Sequence, residues 1–453
     1  MFERLNRLHQ CFANLKGLYV LPLLFMVIGL AACATPSPDG DEAVLDPQPV
    51  LPTLTPAPLP TPSPVPDSRS VQGEVVIWMS YDPVELESLQ AAIDAFASVN
   101  PEIAFALAYY PEDVLLEAFQ TLTPLGRGPT ILIGPSAWGP GLYERGDILD
   151  LGALIDAELE EDVFRAAWAQ SRFDFKDMGL PLELKGVVLY RNRLIAPDSP
   201  ATVAEWVAAQ SDLAAEGGYE TQLEMGFTYS GGFLSTCGAR LEQLSDRSQM
   251  WGPVGICWLE LLYNLAAEAR PVFNSDEDYQ AFIASENPWL IDLAERRPEL
   301  SDALGADNLA IDPWPVYSNQ SLPLQGFAWT ENLYIAAGTS SVNLEAAWAF
   351  ARYMLTSEVQ TIMADPALAG HIPVVSSAEL TDPLMVESSA MLRSGVPLPL
   401  QITDQEFLDE LETAAVNVVQ QGSNPIFALN FAQESLGLPI TIIPTATPGG
   451  QGN

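Results

Sequence analysis

Histidine and lysine are the scarcest chemistry in this chain. Of 453 residues only two are histidine, His9 and His371, and three are lysine, at positions 16, 176 and 185. With so few imidazoles a histidine-rich zinc site is excluded, and any Ser-His-Asp arrangement hangs on His371 alone. His371 stands in Ala369-Gly370-His371-Ile372-Pro373, which reads as a turn-like connection. No metal or cofactor is expected, and no catalytic residue is assigned. Positive charge is scarce altogether: 19 Lys and Arg face 59 Asp and Glu, a formal net charge of −40. Such a surface repels nucleic acid and anionic lipid head groups, so no nucleic-acid partner is expected. The acids are scattered rather than in runs, as solvated faces are. Cysteine is limited to four residues.

What is present begins with Arg4, Arg7 and Lys16 ahead of an uncharged run over residues 18–30, closed by Leu30-Ala31-Ala32-Cys33. Positive start, short apolar middle and small-residue end are the order of a secretory signal, and the run falls short of the about 20 residues a membrane span needs. The small residues before cysteine resemble a bacterial lipobox. Residues 1–32 are therefore expected to be a lipoprotein signal peptide, with Cys33 lipidated and the rest of the chain extracytoplasmic, anchored to the membrane. Residues 33–73, with prolines recurring from position 36 to position 66, cannot bury a core and read as a stalk. Residues 441–453 read as a second tail. Cys11 falls in the signal, which leaves Cys237 and Cys257. Export favours a bridge between them over two buried thiols, and closing a loop of that size contributes about 3 kcal/mol.

Order begins at Glu74. Val75 to Met79 is a continuous apolar run, as in a strand covered on both faces. Asp82, Pro83 and Glu85 supply an N-cap, a first-turn proline and a capping-box acid, and Leu86, Leu89, Ile93 and Phe96 line one helical face. Asn100-Pro101 stops that helix. Alternation from Ile103 to Tyr109 gives a second strand, and a short helix around 114–119 precedes a third at 130–133. Strand and helix alternate within about 60 residues, which predicts a parallel, doubly wound α/β sheet with ligands beyond the carboxyl ends of the strands. Further strands are expected at 186–190, 224–229, 309–312 and 332–336, and helices at 202–213 and 257–269. A helix capped by Asn343 and a last one over 406–420 complete the reading.

Ser136 and Trp138 follow the third strand in a turn with Pro135, Gly139 and Pro140, where an indole would be exposed and free to stack on a ligand. Glu183 and Lys185 adjoin one of the Pro- and Gly-containing connections, as either a salt bridge or a ligand pair.

Several segments together resemble a known family. They include Glu74-Val75-Val76-Ile77-Trp78, Leu142-Tyr143-Glu144-Arg145-Gly146-Asp147, Gly179-Leu180-Pro181, Leu189-Tyr190-Arg191-Asn192, Asn287-Pro288-Trp289 and Ala346-Ala347-Trp348-Ala349-Phe350. Their order resembles the extracellular solute-binding proteins of ABC transporters, of the maltose-binding-protein-like type, from about residue 74 to 436. The resemblance implies two doubly wound lobes joined by a three-crossover hinge, the type II periplasmic-binding-protein-like arrangement. Lobe 1 would hold residues 74–183 and 314–371, and lobe 2 residues 184–313 and 372–440. It also implies ligand contacts at Tyr81, Asp82, Glu224 and Tyr229, a sugar-stacking Trp289, and Trp329 on the far wall. The other tryptophans in amphipathic helices, Trp168, Trp206, Trp258 and Trp348, are expected in the core. One departure is that relatives binding maltose carry a further tryptophan where this chain offers Phe407.

The function so implied is capture of a small polar solute, expected to be a sugar, by lobe closure, and its delivery to a membrane ABC permease. The protein would act as a monomer and not as an enzyme. A cell-surface glycoside hydrolase, working through paired carboxylates, and a solute sensor for a membrane kinase are the alternatives. A cationic solute such as a polyamine stays open.

Overall fold

A computed structural model describes residues 71–239, 250–317, 322–400 and 405–440. The expected signal peptide, Cys33, nearly all of the stalk and the tail lie outside the described residues. No helix among the described residues is long and apolar enough to cross a membrane.

The strands are β1 (Gly73–Met79), β2 (Ile103–Tyr109), β3 (Ile131–Pro135), β4 (Arg172–Phe173), β5 (Lys176–Asp177), β6 (Leu180–Asn192) and β7 (Thr221–Glu224). They continue with β8 (Ala269–Val272), β9 (Trp289–Leu293), β10 (Leu309–Asp312), β11 (Val316–Tyr317), β12 (Leu322–Pro323), β13 (Phe327–Ile335) and β14 (Val396–Pro397). Eight of them form one sheet, ordered β10-β6-β13-β3-β1-β2, with β9 on β6 and β14 on β13. β1 lies parallel to both β2 and β3, as the strand–helix alternation predicts. β13 then enters antiparallel between β3 and β6.

β6 is the longest strand, 13 residues, and begins well before the apolar run that marks it in the sequence. Its first half pairs with β13, its second half with β9 and β10. Gly186 sits where the partners change: a Cβ there would lie 2.4 Å from the Phe327 carbonyl and 2.7 Å from Leu392. Only glycine admits that approach.

The helix Pro83–Val99 starts as its sequence dictates. Asp82 Oδ1 accepts from the Val84 and Glu85 N–H groups, and Glu85 Oε2 accepts from the Asp82 N–H, each at 2.8 Å. Leu89, Ile93 and Phe96 bury the inner face. Two large apolar clusters flank the sheet. One draws on β1, β2, the helices Pro83–Val99 and Ser341–Met354, and the segment around Ile372 to Leu392. The other gathers Trp206, Leu223, Phe233, Trp258, Trp289, Phe327, Leu411 and Leu429. The expected lobe boundaries fall among strands shared by these clusters, since Leu184 and Val188 pack in the first and Val187 and Leu189 in the second.

Four local expectations are corrected. Residues 224–229 are not one strand: β7 ends at Glu224, Gly226 breaks the run, and Phe227–Ser230 is a helical turn. Asn343 is not the cap of its helix; Ser340 is, and Asn343 Oδ1 instead accepts the Glu74 N–H at 3.0 Å, tying helix to β1. A further helix, Pro425–Ser435, follows Gln405–Val419, capped by Asn424 with proline in its first turn. Trp138 is buried rather than exposed, because its ring lies over Gly134, where a Cβ would come within 2.3 Å. Cys237 and Cys257 are joined by a disulfide, with Cα atoms 5.7 Å apart.

Candidate functional site

The register of β6 on β13 sets Glu183 directly opposite Glu331 and Lys185 opposite Trp329. Residues two apart share a face, so all four side chains project from one side of the sheet. Like charges facing each other across an antiparallel pair destabilise it. Lys185 resolves the conflict: its Nζ lies 3.0 Å from Glu331 and 3.4 Å from Glu183. Burial works against the ammonium charge, yet those two carboxylates hold it well above its ordinary pKa. Trp329 is only partly buried and borders the second apolar cluster.

Three more groups converge on this face. Glu85 reaches it from the first turn of its helix, and His371 from the segment that leads into Ile372, whose carbonyl accepts from the Leu184 N–H at 2.8 Å. His371 Nε2 is 3.2 Å from Glu85 and 3.7 Å from Glu183. Tyr81 packs edge-on to His371, with ring centroids 5.7 Å apart, and its buried hydroxyl makes no hydrogen bond. Burial, then the charges of Glu331, Glu85 and Glu183, push that phenol far up. Behind Lys185, burial pushes the Glu295 carboxyl up to about 7.

A second acidic group is built from β7, β9 and the helix Glu277–Ile283. Glu224 accepts from the Gly226 N–H at 2.7 Å, and burial raises its carboxyl well above the usual range. The Asp278 and Asp292 carboxyls are each pushed up to about 7 by burial, and Arg296 stands 3.4 Å from Asp292. The Tyr229 hydroxyl is raised by burial and then by Asp292 and Glu224. Glu295 acts electrostatically on Asp292 and feels Glu183 in turn, which links the two groups.

The structure thus brings Tyr81, Glu183, Lys185 and Trp329 together, and Glu224 with Tyr229. Asp82 spends its Oδ1 on the helix cap beside them. Ser136 lies elsewhere: its hydroxyl donates to Gln170 at 2.9 Å in a network with Ser171, Thr330 and Asn332, on the face of β13 that carries Thr330. Trp138 is with the apolar residues beyond it. Trp289 is 1% exposed and packs edge-to-face on Trp206, so it offers a solute no accessible face. Glu85, Glu331 and His371 are candidate site residues that sequence reading misses. Their signal is faint: Glu85 is accounted for by its capping role, and Glu331 and His371 are placed by long-range pairing.

The acids carry a consequence for stability. Asp278 is buried with Oδ2 unpartnered, so its carboxyl, ordinarily near about 3.9, reaches about 7 when folded. The folded state binds that proton more tightly, so the contribution is full below the unfolded pKa and is lost as pH rises from about 4 to 7. Asp278→Asn is expected to raise the melting temperature by several degrees at pH 8 and much less at pH 5. Melting curves at both values check this, and an equal gain at each would refute it.

Comparison with known proteins gives the fold and the family. The chain has the type II periplasmic-binding-protein fold. A cyclo/maltodextrin-binding protein solved with maltotetraose aligns over 82% of this chain and 98% of its own, with TM-score 0.70 and 16% identity. The GacH receptor of Streptomyces glaucescens, solved free and with acarbose, aligns over 81% and 97%, with TM-score 0.61 and 18% identity. In sequence, the maltotriose-binding protein of Pyrococcus abyssi is 22% identical over 328 residues, 69% of this chain and 68% of that protein. Residues 91–391 match the family described as bacterial extracellular solute-binding protein, and the chain belongs to that family.

Proposed function

We propose that this protein is the substrate-binding lipoprotein of an ABC importer, held to the membrane through Cys33, which captures a carbohydrate and passes it unmodified to the permease. The observation that carries the reading is the face shared by Trp329, Lys185, Glu183 and Glu331. A sugar ring needs a flat apolar surface and a rim of acceptors and donors, because each hydroxyl buried without a partner costs about 1–3 kcal/mol. Trp329 supplies the surface and the ionic row the rim. We place the division between lobes across β6 and β13, so that solute contacts made from both sides favour the closed state.

The relatives named above bind maltotriose, maltotetraose and acarbose, which supports a saccharide as guest. Phe407 does not replace the tryptophan of maltose-binding relatives, since it is buried against Trp251. The guest is therefore a saccharide gripped chiefly by the Trp329 side of the site. Family membership favours binding over hydrolysis.

Calorimetry against mono- and oligosaccharides is expected to give one guest per chain, recovered intact. Hydrolysis products accumulating over hours would replace this reading with the glycosidase. Trp329→Ala is expected to weaken binding tenfold or more, about 1.4 kcal/mol, at nearly unchanged melting temperature. Unaltered affinity would remove Trp329 from the site.

A further inference from the structure

Among the described residues, Glu85, Glu183 and His371 bring one donor atom each to within 4.8 Å of the others. We propose that Glu85 Oε1, Glu183 Oε2 and His371 Nε2 form a three-ligand site for a divalent transition-metal ion, with zinc the best fit. The inference concerns an ion: it shares Glu183 with the saccharide reading but does not rest on it.

Spacing is the first argument. Zinc bound by nitrogen and carboxylate oxygen at about 2.0–2.2 Å in a tetrahedron puts its donors about 3.3–3.6 Å apart. Nε2 lies 3.2 Å from Glu85 Oε1 and 3.7 Å from Glu183 Oε2. Those two spacings suit such a tetrahedron, and all three donor atoms lie within 4.8 Å of one another. An imidazole among the donors disfavours calcium and magnesium, which prefer oxygen throughout.

Orientation is the second. Glu85 Oε2 is held by the Asp82 N–H, which turns Oε1 toward the histidine. His371 is fixed beside Glu183 by the backbone bridge between Leu184 and Ile372. The three ligands come from a helix, a strand and a loop, so no local motif announces them.

Unmet polar atoms are the third. Glu183 Oε2 is buried and makes no hydrogen bond, its nearest nitrogens being Lys185 Nζ at 3.4 Å and His371 Nε2 at 3.7 Å. The Tyr81 hydroxyl is likewise unpartnered, on a residue 3% exposed, and the charges acting on it are those of Glu331, Glu85, Glu183 and Lys185. Buried polar atoms left unpaired call for a partner. Charge agrees: with His371 neutral, as a ligand must be, Glu85, Glu183 and Glu331 face one permanent cation, Lys185, and a dication taking the place of the imidazole proton cancels the two charges left over. Glu295, pushed up to about 7, adds a fraction of a charge at most.

The test uses full-length protein stripped with chelator, then titrated with zinc chloride alone against a chromogenic competitor. The expected result is one ion per chain at micromolar affinity or tighter, with a raised melting temperature. Cobalt(II) should give the intense visible absorption of tetrahedral coordination. His371→Ala is expected to weaken binding at least 100-fold. Glu85→Gln, which keeps an oxygen for the Asp82 N–H but gives up the charge facing His371, should weaken it at least tenfold. No saturable binding by the parent, or wild-type affinity in both variants, overturns the site and assigns any bound zinc to surface acids. Saccharide titration with chelator present reads the other proposal separately, so either can fail alone.

Discussion

Lys185→Met is expected to lower stability by about 3 kcal/mol. The substitution leaves Glu183 and Glu331 opposed across β6 and β13 with nothing between them. Their side chains are 5% and 10% exposed, so water screens the repulsion poorly. Breaking a buried ionic group by removing one partner costs about 3–5 kcal/mol. The lysine itself is 23% exposed, which puts the cost at the lower end. Because the penalty comes from stranded carboxylates, Glu331→Gln in the same chain should recover much of it. Urea unfolding of the two single variants and the double variant measures the coupling. Additivity of the single losses within about 0.5 kcal/mol would show that the lysine does not hold these acids together.

Trp289→Ala is the second large effect, a loss of about 3–5 kcal/mol. Trp289 opens β9, is 1% exposed, and its ring meets that of Trp206 with centroids 6.3 Å apart. Removing the indole leaves a cavity that its packed neighbours cannot close. Saccharide affinity, measured where the variant is still folded, should change less than for Trp329→Ala. Both tryptophans stand beside candidate site segments in the sequence, yet one is expected to report on unfolding and the other on binding. A Trp289 variant that melts like the parent but no longer binds would reverse the assignment.

Local signals carry much of the fold. Asp82, Pro83 and Glu85 predict their helix start, and the alternation from Ile103 to Tyr109 predicts β2. Where the reading fails, a local rule is outweighed. Residues 224–229 look extended, but Glu224 folds back onto the Gly226 N–H and ends the strand. Asn343 looks like a cap, but its side chain is taken by Glu74 from across the molecule. Trp138 looks exposed because nothing nearby in sequence reveals that Gly134 leaves space for its ring. The site is legible in part for the same reason. Tyr81, Glu183 and Lys185 adjoin segments with clear periodicity, whereas Glu331 and His371 join them only through the β13 register and the Leu184–Ile372 bridge.

The hydrogen bond from Glu74 to Asn343 spans 269 residues, and β13 is the strand that fills the gap between β3 and β6. β3, made early, therefore waits for most of the polypeptide before its second neighbour in the sheet arrives. Contacts so distant in sequence slow folding and leave intermediates with open edges. A chain with this wiring stays unfinished for as long as its last third is missing, so the central sheet can close only late in synthesis.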